Sequence, residues 1–527
     1  MRRIWKLAVF YRIPVLFVAA IVLAATTEKL IDYFLLFAKI DAASLFYGFY
    51  IAVFRVVVFM IWLALSVDVI RKRYYKHQTG RNLAKDQKQT QLTYSELLSR
   101  YRQEALARNP KIPKELQYKT PTGIFFGRST RENKYVCKPA TFDGACLIIG
   151  GAGSGKSSCC IVKTIRDSWK QAIFAIDIKG ELSRKGLSEE QRENVKIFAP
   201  ADPSSEIGFD PFYLAKQTTN PVQSIREIAL ALIEKPENIK DPYWITAAQN
   251  VFTGSMLYGL SQKMSFLQVV QWLLSSDPES VIEKIKESDC ESANAYVSQY
   301  ATLREETLGS IFSEVINHLI VFGTDPEVSG ALLRKNIITP EDLEQGTSIF
   351  LEIPEEKLEQ WKGLLTVIVN LFLKAFERRS EGKDPILMLL DETPRMGKLR
   401  LVEGLSTLRS RGIHIVPVIQ SISQLDMIYG KDARKIITDN CPYKVVMGAG
   451  DSETMEWLSR LCGTYQKTAI SYSHSLQDLD YEDGKSVTIS EQERRVIRPE
   501  EFGYMTDIVL LNPINGFCRI EKVPYYK

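Results

Sequence analysis

Histidine is scarce in this chain, with four among 527 residues, and none of the eight cysteines forms a C-x-x-C pair. A zinc constellation of the usual His and Cys spacings is therefore excluded, and the cysteines read as reduced, mostly buried thiols of a cytosolic body. Excess charge of one sign is missing too. The 67 basic and 63 acidic residues leave a net charge of +4, so no bulk polycation is available to hold nucleic acid, and any basic surface must be local. No internal repeat or low-complexity segment stands out. The length suits two to four domains with well-buried cores.

Long apolar runs are present, and all of them sit near the N-terminus. Residues 7–25 carry a single charge, Arg12, and residues 45–70 carry only Arg55 and Asp68. At about 1.5 Å per residue either run spans a hydrocarbon core of about 30 Å. Arg2, Arg3 and Lys6 flank one end and Arg71, Lys72, Arg73 and Lys76 the other, while the piece between the runs is mildly acidic. Positive-inside counting puts both flanks in the cytoplasm. A cleavable signal peptide is disfavoured because a second span follows at once. The expectation is a two-pass anchor over residues 1–73, in the bacterial cytoplasmic membrane and in contact with its lipid, with both termini cytoplasmic. Arg55, in mid-span, faces another helix or subunit or else snorkels. Residues 74–121 are polar and charged, with a helix-like stretch from Thr93 to Arg108, and read as a linker or stalk.

The segment Gly150-Gly151-Ala152-Gly153-Ser154-Gly155-Lys156-Ser157 follows the apolar run Ala145-Cys146-Leu147-Ile148-Ile149 and precedes a helix-like stretch from Ser158. Strand, glycine turn and helix form the context a phosphate-binding loop requires: converging amides cradle the phosphates, Lys156 adds positive charge and the Ser157 hydroxyl ligates Mg²⁺. ATP and Mg²⁺ are the cofactors this implies, bound by residues 150 to 158, Ser158 included. Far downstream, Ile386-Leu387-Met388-Leu389-Leu390 is a buried-strand run ending in Asp391 and Glu392. That is the Walker B pattern, in which Asp391 holds the Mg²⁺ shell and Glu392 polarises the attacking water.

About 230 residues separate the motifs, more than short connections and helices of about 11 residues need, so an inserted domain is required. Segments 172–177, 195–199 and 348–353 read as core strands. From about Val222 to Leu333 the apolar spacing is of the 3.6 type, as in Ile225, Ile228, Ala229 and Leu232, which predicts an all-α insertion. The expected plan is an α/β, RecA-like motor formed by residues 122–221 and 334–527, with residues 222–333 inserted. After Walker B, Leu401 to Arg411 reads as one helix. Ile413 to Gln420 reads as a strand ending in an amide, where a γ-phosphate sensor would sit. Gln466 to Glu493 is polar and reads as an exposed loop or weakly ordered hairpin.

Together these segments resemble the type IV coupling proteins, the VirD4/TraG/TraD class of membrane-anchored ATPases of conjugation and type IV secretion. The resemblance rests on the anchor, the Walker A segment, Asp177-Ile178-Lys179-Gly180-Glu181, Phe209-Asp210-Pro211-Phe212, Asp241-Pro242-Tyr243-Trp244, the helical insertion, Leu390-Asp391-Glu392 and Val418-Ile419-Gln420-Ser421-Ile422-Ser423-Gln424-Leu425. It implies a hexameric ring with the all-α domain at its cytoplasmic mouth, passing relaxase-bound single-stranded DNA or effector proteins to the inner-membrane components of a type IV secretion channel. It also implies an arginine acting across the subunit boundary. Arg409, three residues before Gly412, holds the matching position, and Arg411 is its rival. Two departures are visible: Thr393-Pro394-Arg395-Met396-Gly397 follows the acidic pair where an aromatic or aliphatic residue is usual, and the long acidic tail of some relatives is missing. A segregation-type DNA translocase and an effector-recruiting adaptor are the alternative readings. The insertion inside the motor and the lack of a winged-helix module favour the coupling role.

Overall fold

In the computed structural model, the structure describes residues 107–129, 131–178, 180–235, 241–474 and 485–526, with the single positions Lys29 and Ser99. The two expected membrane spans, and the linker up to residue 106 apart from Ser99, lie outside the described residues. Among the described residues no helix is long and apolar enough to cross a membrane.

A nine-stranded sheet organises the body. Its strands in chain order are β1 (Cys146–Ile149), β2 (Ile173–Ile178), β3 (Val195–Phe198), β4 (Ser348–Ile353), β5 (Ile386–Leu390), β6 (Ile413–Ile419), β7 (Tyr443–Val446), β8 (Ile508–Asn512) and β9 (Gly516–Ile520). In space the order is β9-β8-β7-β1-β6-β5-β2-β4-β3. From β7 to β3 every pairing is parallel, and β8 and β9 add an antiparallel edge. The parallel strands are continuous apolar runs because both faces are covered. Successive side chains then feed opposite cores: Ile386, Met388 and Leu390 enter one cluster and Leu387 and Leu389 the other, as a period of two requires.

The first face carries the helix Lys362–Phe376, whose Phe372 ring lies 4.8 Å from that of Phe174 in β2. The second carries the segment after the phosphate loop, which begins at Lys156 instead of Ser158 and is wound as π-helix over Lys156–Ile161 and Thr164–Ser168. A small antiparallel sheet of Gln117–Tyr118, Ile124–Arg128 and Tyr135–Lys138 packs beside it, the Phe125 amide donating to Thr164 Oγ1 at 3.0 Å. At this seam the buried Lys138 ammonium lies 3.0 Å from His414 Nδ1 and donates to the Phe142 carbonyl. Burial, and then the neighbouring Lys138 charge, hold the His414 imidazole down at about 3, and burial lowers Lys138 to about 8.

Between Val222 and Leu333 the structure has seven α-helices, and among the described residues there is no strand. The first of them, Val222–Leu232, packs on Lys362–Phe376 of the motor, where Glu227 pairs with Lys374 at 3.0 Å and Arg400 at 3.7 Å. The last, Pro326–Leu333, starts under Asp325, which caps Glu327 and Val328 and also accepts from the Trp361 indole at 2.9 Å. Both ends of the insertion are thus fixed to the motor by buried or half-buried carboxylates.

One sequence expectation is revised, and one left between two alternatives is resolved. The helix expected over Leu401 to Arg411 stops at Thr407, and Arg409–Arg411 form a separate 3₁₀ turn that Gly412 ends at φ 70°. A φ in the left-handed region closes the turn and aims the chain into β6. The polar stretch near residues 466–493 is a hairpin of two eleven-residue strands, Thr464–His474 and Lys485–Arg495, in continuous antiparallel register.

Candidate functional site

Because β1, β6, β5 and β2 run parallel side by side, everything that follows their carboxyl ends gathers on one edge of the sheet. The phosphate loop follows β1. Its Gly150 amide donates to the Ile419 carbonyl at the end of β6 (3.1 Å), which sets the loop against that strand. Gly153 and Gly155 have φ of 72° and 94°, values that residues with a Cβ rarely adopt. A Cβ on Gly150 would meet Ser154 Oγ at 2.4 Å, whereas one on Gly151 or Gly153 would meet nothing within 4 Å. The loop is therefore closed on its inner side and open on its outer side. Ala152 sits in the turn, Lys156 Nζ donates to the carbonyls of Gly150 (2.6 Å) and Gly151 (3.2 Å), and Ser158 Oγ bonds back to Gly155.

Two strands away, Asp391 and Glu392 leave the end of β5, with β6 between them and the loop. Glu392 has φ 51°, a conformation that costs a non-glycine residue about 1 to 3 kcal/mol and clusters at functional positions. Gln420, at the end of β6, donates from Nε2 to both Glu392 carboxylate oxygens at 3.0 Å each. The amide thus grips the acid, and its own backbone nitrogen is held by Gln424 Oε1 at 3.1 Å. Thr393 makes the unusual sequence after the acidic pair intelligible: its hydroxyl donates to Leu390 O at 2.6 Å and accepts from the Val418 amide at 3.2 Å, tying β5 to β6 before a 3₁₀ turn. Burial, then the Glu392 charge, pushes the Asp391 carboxyl up to about 6, against the pull of Lys156.

Magnesium and a nucleotide triphosphate fit these residues. Ser154 Oγ is buried in the loop without a partner, the outer side of the loop is open, and the Ser157 hydroxyl with the Asp391 carboxylate makes a hard oxygen donor set of the kind Mg²⁺ prefers. A cation would also relieve the Asp391 carboxylate, whose charge burial and the neighbouring Glu392 now disfavour.

Arg409 lies at the other edge of the sheet. It precedes β6, whose seven residues span about 23 Å at about 3.3 Å each, so it does not reach the loop of its own chain. Its side chain is 59% exposed, and among the described residues it pairs with Asp143 at 3.9 Å. Arg411 differs: its guanidinium donates to the Arg379 carbonyl, and Arg379 returns the bond to the Arg411 carbonyl.

Two participants carried no recognisable role in the sequence. Asp177 is fully buried near the end of β2 and accepts from the amides of Leu182 (2.9 Å) and Ser183 (2.7 Å), starting the helix Glu181–Gly186. The conspicuous D-x-K-G-E segment supplied its position without its purpose. Lys522 donates to the carbonyls of Ser154 (3.1 Å), Met447 (3.1 Å) and Met505 (3.3 Å), and the Tyr525 amide donates to Ser158 O at 2.9 Å. No local pattern marks a lysine that reaches the phosphate loop from so far along the chain.

Residues 97–527 match the family described as Type IV secretory system Conjugative DNA transfer. Among curated relatives, the protein VirD4 of Agrobacterium fabrum is 24% identical over 397 residues, covering 72% of this chain and 58% of that protein. A conjugal transfer protein TraG of Escherichia coli is 26% identical over 344 residues, 59% of this chain and 53% of that protein. The matched stretches thus span less than two thirds of these relatives' length. Among solved structures, the bacterial conjugative coupling protein TrwBdeltaN70 in complex with sulphate superposes with a TM-score of 0.58 at 16% identity, over 79% of this chain and 95% of that one. The plasmid coupling protein TrwB in complex with ADP and Mg²⁺ gives a TM-score of 0.54 at 15% identity, over 72% and 85%.

Proposed function

We propose, from the premise that this chain belongs to the Type IV secretory system Conjugative DNA transfer family, that it is a membrane-anchored ATPase which delivers a substrate to a type IV secretion channel. The observation that carries the ATPase reading is the Gln420 amide bridging both Glu392 oxygens on the strand between the two Walker strands. The nucleotide complexes of the similar TrwB support ATP and Mg²⁺ as cofactors. When bound, the triphosphate supplies a γ-phosphoryl group whose transfer to water releases the free energy of transport. Glu392 takes the proton of that water, Gln420 fixes the acid's orientation, Lys156 and the loop amides hold the phosphates, and Ser157 and Asp391 hold the metal.

The substrate in this reading is relaxase-bound single-stranded DNA, an effector protein, or both. The apolar runs 7–25 and 45–70 anchor the chain in the bacterial inner membrane with both termini cytoplasmic, beside inner-membrane components of the channel. Arg409, exposed on the edge opposite its own loop, serves a neighbouring subunit of a homo-oligomeric ring, a hexamer by family likeness.

Purified full-length protein in detergent is expected to hydrolyse ATP. Lys156→Ala and Glu392→Gln each lower turnover about a hundredfold or more. Wild-type turnover in Glu392→Gln would remove Glu392 from the role of base.

A further inference from the structure

A cavity of about 410 Å³ opens where the chain enters the body, walled by Arg108, Tyr465, Lys467, Arg494, Arg495 and Arg498. None of these belongs to the nucleotide site. They come from three separate stretches: the arriving segment, the base of the hairpin Thr464–His474 and Lys485–Arg495, and the turn that follows it. Among the described residues Glu501 is the one carboxylate on the wall, and its Oε1 is occupied by the Arg498 amide at 3.1 Å. Among the described residues, only Arg495 of the five cations has an acidic partner, Glu456 at 3.6 Å. Arg494 bonds the neutral Gln492 amide at 3.2 Å, and Arg108 lies 5.9 Å over the Tyr465 ring.

Like charges that converge on a cavity and outnumber their counter-charges repel one another, and an anion in the cavity removes that repulsion. Planar guanidinium forks on several walls match phosphate oxygens. The Tyr465 ring narrows the choice, since a flat aromatic face among phosphate-binding cations is the chemistry of a backbone whose bases are free to stack. Duplex DNA hides its bases, and a lipid headgroup such as phosphatidylglycerol has no ring to stack. Near-neutral overall charge requires that any nucleic-acid surface be local, and this cavity is a local concentration of positive charge.

We infer that this cavity binds the phosphodiester backbone of single-stranded nucleic acid, with Tyr465 stacking one base, and that it is a binding site for the transferred strand outside the ATPase centre. The inference rests on the DNA-transfer reading proposed above. The test uses the full-length protein in detergent and a fluorescent oligothymidylate, followed by anisotropy across a salt series. The double variant Lys467→Glu/Arg494→Glu is expected to bind about tenfold more weakly or worse, with a salt slope shallower by about 0.7 for each phosphate that is no longer neutralised. Tyr465→Ala is expected to weaken binding several-fold while keeping the wild-type slope. Both variants are expected to keep wild-type basal ATPase activity without DNA, which reports an intact fold. Wild-type affinity and slope in the double variant would overturn the site while leaving the DNA-transfer reading standing. A wild-type protein that binds no oligothymidylate at low salt would sink the DNA-transfer reading itself, and this inference with it. Equal displacement of the oligonucleotide by short-chain phosphatidylglycerol, with no effect of Tyr465→Ala, would make the cavity a headgroup site and overturn the proposal.

Discussion

Lys522 spreads one ammonium over three backbone carbonyls, one of them in the phosphate loop. All three bonds go to backbone, so its effect is on where the loop amides sit. A neutral side chain there would leave the Ser154, Met447 and Met505 carbonyls without their shared donor and let the loop drift. Lys522→Met is expected to raise KM for ATP about tenfold, equivalent to about 1.4 kcal/mol, while kcat stays within about twofold because the water-polarising pair is untouched. Unchanged KM would show the loop to be rigid without it. The placement of Lys156, Asp391 and Glu392 is readable in the sequence because each is set by neighbours within a few residues: a glycine turn after an apolar strand, acids at a strand's end. Lys522 and the hydroxyl bridge of Thr393 depend on pairings made across the fold, and no short pattern encodes those.

At the level of elements, the strands β1 to β6 are legible as apolar runs bounded by polar turns. The antiparallel edge is not, because a run such as Ile508-Val509-Leu510-Leu511 carries no sign of its neighbour's direction. Residues 401–411 look like one continuous helix for a related reason: the apolar spacing continues to Leu408, but the chain must turn sharply to enter β6, and Gly412 permits that turn. The seam beneath β6 gives a pH prediction. His414 titrates near 3 in the fold against 6.5 when free, so from pH 6.5 down to about 3 the unfolded chain binds a proton that the folded one refuses. Stability therefore falls on acidification through that window. Lys138 titrates near 8 against 10.5 when free, so its contribution makes stability rise as pH climbs from about 8 towards 10.5. In Lys138→Met/His414→Phe both slopes should flatten in plots of Tm against pH. Superimposable profiles for wild type and double variant would clear this pair of any part in the pH dependence.

On the scale of the whole molecule, the parallel sheet keeps Arg409 and the phosphate loop at opposite edges, and the reading proposed above has the arginine serve another copy of the chain. Arg409→Ala is accordingly expected to bind ATP normally and to hydrolyse it at least about a hundredfold more slowly, within the range known for such fingers. Mixing it with Lys156→Ala subunits should restore part of the activity, because some interfaces then join an intact loop to an intact arginine. Absence of rescue in oligomers verified to be mixed would place the arginine outside the site. Exposure separates it from its rival, since Arg411 is bound into its own subunit through Arg379.

The bond from Lys522 to Ser154 crosses 368 positions of the chain. Ribosomes add about 5 to 20 residues per second, so the phosphate loop emerges about 20 to 70 seconds before the lysine that steadies it. During that interval β1 has also to wait for both of its neighbours, β6 and β7. From the loop at residues 150–157 to Asp391 about 230 residues are made, and through that stretch of synthesis the loop lacks its support, the strand beside it and the two carboxylates that face it. A half-made chain therefore carries the loop without the residues proposed for hydrolysis, and the reading proposed above expects it to consume no ATP.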